Sequence, residues 1–142
     1  FRIESARQED DMSECKINNP VGWFEIYVND MQRAKAFYQT VFGSTFTDLT
    51  NPGQPPGLEM WAFPMHQNAP GITGALVKMP GLDAGKNSVV VYFMCADCAV
   101  EAGKVEKAGG RIEKPKFSIG EYGHIALVYD TEGNMIGLHS MQ

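Results

Sequence analysis

The sequence predicts an α+β fold built from two tandem β-α-β-β-β units, and three observations carry that expectation. First, the segment Val21-Gly-Trp-Phe-Glu-Ile-Tyr-Val-Asn-Asp30 is answered by Val89-Val-Val-Tyr-Phe-Met-Cys-Ala-Asp97, and each leads into a helix-like run. Second, Asp30 and Asp97 are 67 residues apart, and so are the stop signals Gly43 and Gly110. A constant offset across strand, cap, helix and stop is the mark of a duplicated unit. Third, turns rich in Pro, Gly, Asn and Asp divide the chain after each helix into short apolar strands. Unit one covers about residues 20–79 and unit two about 88–142. Residues 1–19 are mostly polar and without period, which reads as a tail or linker and suits a piece of a longer chain.

Residues 22–28 are apolar and aromatic around one acid, which reads as a strand. Asp30 is a natural N-cap, since its carboxylate can accept from amides of the first turn. Ala34, Phe37, Tyr38, Val41 and Phe42 then fall on one helical face, and Gly43 ends the helix. A short strand near Thr45–Leu49 comes next, then a loop over Asn51–Gly57. Strands are expected near Leu58–Pro64 and Ile72–Met79, with Pro70-Gly71 at the turn between them. Met79–Ser88 links the units. In unit two, a strand over Val89–Cys95 leads to a helix capped by Asp97, with Cys98, Ala102, Val105 and Ala108 on one face. Arg111–Glu113 is short strand material, and Lys114–Gly123 reads as a loop. His124–Tyr129 and Met135–Met141 form a hairpin about the turn Asp130-Thr-Glu-Gly-Asn134.

A chain of 142 residues, 44% hydrophobic and 20% charged, is an ordinary globular domain with enough length for a core. No apolar run approaches the ~20 residues of a membrane span, and no signal peptide opens the sequence. A net charge of −5 argues against direct nucleic-acid contact. Three cysteines are too few for a disulfide scaffold and point to the cytoplasm. Cys95 and Cys98 form a Cys-x-x-Cys without a second pair. A buried Cys95 and a Cys98 in the first helical turn explain it better than a redox or zinc site.

This two-unit plan resembles the vicinal oxygen chelate superfamily, which includes glyoxalase I, bleomycin-resistance proteins and extradiol dioxygenases. Val28-Asn-Asp-Met-Gln-Arg-Ala-Lys-Ala-Phe-Tyr-Gln-Thr-Val-Phe-Gly43 is similar to the family's first helix, and Asp130-Thr-Glu-Gly-Asn-Met-Ile-Gly-Leu-His139 to its closing hairpin. The resemblance covers residues 20–142. It implies an open, cup-shaped mixed sheet with helices outside, and pairing as a homodimer. In metal-using members it also implies one His, Glu or Gln ligand on the first and last strand of each unit. Mapped onto this chain, those positions fall on Trp23, Val90, Gly137 and, within a residue or two, Ala75. None has a side chain that binds metal, so no cofactor is expected.

Strand alternation sorts the remaining candidates. Phe24, Ile26 and Val28 make the helix-facing side of the first strand, which leaves Trp23, Glu25 and Tyr27 for the cavity. Val91, Phe93 and Cys95 face outward, with Val90, Tyr92 and Met94 inward; Ile136 and Leu138 pack outward, with Gly137 and His139 inward. Glu25 and His139 are a candidate polar pair, with Tyr92 beside them. Trp23, Tyr27, Tyr92 and Trp61 are candidate stacking surfaces, His124 a contact at the cavity mouth, and His66 a solvated loop residue. The expected function is binding of a small organic ligand in the cavity without the family metal, with the sensing part of a longer regulator as a variant. The alternatives are a metal-dependent glyoxalase-type lyase, isomerase or dioxygenase with a relocated divalent metal, and metal-free catalysis by Glu25 and His139.

Overall fold

The computed structural model describes residues 19–51 and 55–142. The expected tail at 1–19 therefore falls almost wholly outside the described residues, as does part of the Asn51–Gly57 loop. Unit one consists of β1 (Phe24–Tyr27), α1 (Met31–Phe42), β2 (Thr47–Asp48), β3 (Glu59–Ala62) and β4 (Gly74–Lys78). Unit two repeats it with β5 (Tyr92–Met94), α2 (Cys98–Val105), β6 (Arg111–Ser118), β7 (His124–Tyr129) and β8 (Met135–Ser140). Each unit forms a four-stranded mixed sheet, in the orders β1-β4-β3-β2 and β5-β8-β7-β6. The first strand runs parallel to the fourth in both. The sheets approach each other through β1 and β5, where the rings of Phe24 and Phe93 sit 6.1 Å apart.

The helix signals act as their chemistry requires. The Asp30 carboxylate accepts from the Arg33 amide at 3.0 Å, and Gly43 closes α1 in the left-handed region at φ 69°. Asp97 caps α2 by accepting from the Ala99 amide at 3.0 Å. Met31, Ala34, Phe37, Tyr38 and Val41 of α1 are buried, as are Cys98, Ala102 and Val105 of α2. They share one core with Ile26, Leu76, Ile136 and Leu138. Tyr38 stands at its centre, within 6.1 Å of the rings of Phe37, Phe42, Phe63 and Phe93.

One element departs from expectation. Residues 114–118, read as loop from their lysines and Pro115, continue β6 as far as Ser118. β6 is the outer strand of its sheet and carries two register shifts, between Ile112 and Lys114 and between Lys114 and Phe117. Proline is tolerated at such an irregular edge because no ladder partner needs its missing amide proton.

The turn between β7 and β8 proves to be the joint between the units. Asp130, Glu132 and Asn134 are all buried. Glu132 Oε1 accepts from the backbone amides of Asn29 and Asp30, at 3.0 and 2.9 Å. Arg33 grips the same carboxylate with Nε on Oε2 at 2.6 Å and Nη2 on Oε1 at 2.9 Å. Asp130 accepts the Tyr38 hydroxyl at 2.7 Å, and Asn134 Nδ2 donates to the Tyr27 carbonyl at 2.9 Å. The end of β1 and the start of α1 are thus held by side chains about a hundred residues away.

Burial alone would raise the Glu132 carboxyl, but donors from Arg33, Asp30, Thr131 and Asn29 outweigh it and hold the group below its ordinary value. Burial pushes Asp130 the other way, above its ordinary value. A depressed carboxyl stabilises the fold above its unfolded pKa, here near 4.5, and loses that contribution as pH falls through the folded value. Glu132→Gln should therefore cost about 2 kcal/mol at pH 7 in urea unfolding, and the gap to wild type should narrow below pH 4.5. A gap independent of pH would contradict this role.

Candidate functional site

β1 and the residue before it present three polar or aromatic side chains on the sheet face opposite the helices, because alternate residues share a face. Glu25 lies between Trp23 and Tyr27 and accepts from both. The Trp23 indole Nε1 donates to Oε2 at 3.3 Å, and the Tyr27 hydroxyl donates to Oε1 at 3.1 Å. Each carboxylate oxygen is therefore held by its own aromatic neighbour. The Tyr27 phenol is raised above its ordinary value by burial, then by its hydrogen bond to Glu25 and the nearby negative charge. Glu25 pairs in register with Ala75 of β4, which is fully buried.

The equivalent face of unit two carries Tyr92 and Met94 of β5, which are 48% and 67% exposed. In register they stand beside Gly137 and His139 of β8. Tyr92 lays its ring over Gly137: a Cβ at position 137 would lie 2.2 Å from Tyr92 Cδ1. His139 Nε2 lies 2.7 Å from the Tyr122 carbonyl. A carbonyl only accepts, so this contact places the imidazole proton on Nε2.

Two hollows open beside these strands. One of about 320 Å³ is lined by Trp23, Met65, His66, Gln67 and Gly71 among others. A second of about 180 Å³ lies where the two units meet, lined among others by Glu25, Tyr27, Asp83, Asn87 and Met135. Trp23 thus borders one hollow and Tyr27 the other, with Glu25 between them.

Five of the seven expected site residues, Trp23, Glu25, Tyr27, Tyr92 and His139, lie on the face away from the helices. Two do not, and strand register is the reason. Trp61 pairs with Leu76, which pairs with Ile26, so its ring is on the helix side, with Lys35 Nζ 3.2 Å from its centroid. His124 shares a face with the fully buried Ala126 and Val128, and its Nδ1 is buried without a partner. It lies on the helix side, not at the cavity mouth. The Glu25 and His139 pair does not form either: Glu25 is held by Trp23 and Tyr27, and His139 by Tyr122. His66, expected in solvent, borders the larger hollow while remaining exposed. The signal for it was the β3–β4 connection, which is longer than a tight hairpin needs.

Cys95 and Cys98 are free thiols. Cys98 is fully buried, while Cys95 is only half-buried. Burial, then the neighbouring Glu101, pushes the Cys95 thiol up to about 12, which leaves it unreactive at neutral pH.

The four positions that the resemblance assigns to a metal do not fit one. A divalent ion needs nitrogen, oxygen or sulfur lone pairs from side chains. The Trp23 indole nitrogen is a donor and is spent on Glu25. Val90 and Ala75 offer only carbon, and the Tyr92 ring fills the space above Gly137. Among the described residues, no group of three or more His, Cys, Asp or Glu is placed to hold a metal ion.

Duplicated β-α-β-β-β units packed through their first strands define the class of fold that glyoxalases share. The chain belongs to the Glyoxalase/Bleomycin resistance protein/Dioxygenase superfamily, whose family model matches residues 21–138. It is 27% identical over 127 residues to "Putative glyoxylase CFP32" of Mycobacterium tuberculosis (strain CDC 1551 / Oshkosh), covering 89% of this chain and 47% of that one. The chain thus spans about half the length of the curated relatives it matches. Glyoxalase I from Zea mays is similar in structure, with a TM-score of 0.68 at 19% identity over 86% of this chain and 46% of that one. So is TnmS3, an antibiotic binding protein from Streptomyces sp. CB03234, with a TM-score of 0.60 at 21% identity over 87% and 97% of the two chains. No helix among the described residues is long and apolar enough to cross a membrane.

The contact between Tyr92 and Gly137 can be tested directly. Gly137→Ala should lower stability by about 1–2 kcal/mol through overpacking. The cost should vanish in a Tyr92→Ala background, where the ring is gone. Equal costs in both backgrounds, measured by urea unfolding, would remove the ring from this role.

Proposed function

We propose that this domain binds a small organic ligand on the aromatic face formed by Trp23, Tyr27 and Tyr92, without the metal of its catalytic relatives. The observation that carries the proposal is the replacement of the metal positions. Trp23 stands at the first of them, and the Tyr92 ring covers the glycine at the last. The scaffold keeps its duplicated register while the donors give way to π surfaces, which bind flat or cationic groups by stacking and dispersion. The exposure of Tyr92 and Met94 leaves that surface open to a ligand. Met94 and Met135 add polarizable, adaptable side chains.

Binding is also the reading that the similar antibiotic binding protein TnmS3 favours. The remaining features belong to the same proposal: a cytoplasmic protein that pairs as a homodimer and, within a longer chain, senses its ligand for an attached regulator. In this reading the Glu25 carboxylate orients the ligand, and His139, whose Nε2 meets the Tyr122 carbonyl, is not paired with it.

The chain has two tryptophans, Trp23 and Trp61. In Trp61→Phe, Trp23 becomes the only indole reporter, and the substituted position lies across the sheet from the proposed surface. Titration with a panel of flat aromatic compounds should change Trp23 emission, unaltered by EDTA, and Tyr92→Ala should weaken binding about fivefold. Binding abolished by chelation, or a turnover that needs added metal, would replace this reading with the metalloenzyme one.

A further inference from the structure

The ligand-binding reading leaves the charge of the ligand open, and the surroundings of Glu25 bear on it. Resting on that reading, we infer that the site takes an organic cation, with an ammonium or guanidinium group received between Glu25 and the rings beside it. Glu25 is exposed, and both its hydrogen bonds come from neutral donors, the Trp23 indole and the Tyr27 hydroxyl. Those bonds fix the carboxylate in place without cancelling its charge. Among the described residues, the ion pairs are Arg33 with Glu132, Arg111 with Glu113 and Lys116 with Asp97, so Glu25 has no basic partner.

The cavity beside it has the same sign. The hollow of about 180 Å³ is bordered by Glu25 and Asp83 and by no Lys, Arg or His. Its other walls include Tyr27, Val89 and Met135. The basic residues that share the far sheet face, Arg111 and Lys114, sit on the outer strand β6. They are already engaged, Arg111 over the Tyr129 ring at 4.0 Å and Lys114 over Phe117 at 4.0 Å. A carboxylate with no basic partner among the described residues and an aromatic ring on either side attracts a cation through its charge, and an organic cation large enough to reach a ring face gains the ring quadrupole as well. An anion meets two carboxylates, and the lining holds no basic side chain to offset them; Lys86, between Gly85 and Asn87, is not part of it. The larger hollow beyond Trp23 has neither an acid nor a Lys or Arg in its lining, and it suits the uncharged remainder of a longer molecule.

Benzylammonium and benzyl alcohol test this, since they share ring and size and differ in charge. Binding of each is measured by Trp23 emission in Trp61→Phe and repeated in Trp61→Phe with Glu25→Gln. Glu25 is exposed, so the variant should keep its fold, and its circular dichroism spectrum checks this. Benzylammonium should bind at least about tenfold more tightly than benzyl alcohol, and the preference should fall to within about threefold in Glu25→Gln. Equal affinities, a preference that survives Glu25→Gln, or no binding of benzylammonium would each overturn the cation site. The first of these, or a response to the neutral aromatic panel alone, would leave the ligand-binding reading standing. Silence towards both the panel and the two probes would overturn both.

Discussion

The fold depends on one buried polar joint. Glu132, at the tip of a turn in the second unit, takes two backbone amides and both arms of Arg33 from the first. Those amides belong to Asn29 and Asp30, at the point where β1 ends and α1 begins, and early helical amides have no partner within the helix. Asp130 and Asn134 in the same turn reach the Tyr38 hydroxyl and the Tyr27 carbonyl. Apolar packing between the helices is non-directional and would tolerate sliding. The hydrogen bonds of the turn do not, because each buried group left unpaired would cost about 1–3 kcal/mol. Docking the turn therefore sets the position of β1 against β5 and β8. The candidate site lies on those same strands.

Duplication gives the site its geometry, and divergence between the two copies gives it its character. Glu25 beside Ala75 in unit one corresponds to Tyr92 beside Gly137 in unit two. Each pair joins a large side chain on the first strand to a small one on the fourth. The small partners leave room on the open face, and Tyr92 takes it by lying across Gly137. The face therefore offers a carboxylate on one side of the junction and an aromatic ring on the other, a pairing suited to recognition.

Features governed by local chemistry were legible in the sequence. The Asp caps, the glycine stops, the apolar face of α1 and the alternation in β1, β5 and β8 each depend on a few neighbouring residues. Trp61 and His124 were not legible, because the face of a strand residue depends on the register of a partner far away in sequence. β6 was hidden by Pro115, which reads as a loop unless the strand is known to lie at an edge. The turn at 130–134 was visible as a hairpin signal, yet its acids gave no sign of burial. Their partners, Asn29, Asp30, Arg33 and Tyr38, lie about a hundred residues earlier, and no periodicity records such a contact.

Aromatic side chains at the place where the fold's catalytic members hold a metal are central to the proposed mode of binding. Nuclear magnetic resonance during a Mn²⁺ titration tests this most directly, because the paramagnetic ion broadens nearby protons strongly. The Trp23 indole proton and the Gly137 amide should keep their intensity at micromolar Mn²⁺, like amides elsewhere in the protein. Selective loss of both signals at that concentration would place a metal at the junction and contradict a metal-free aromatic site.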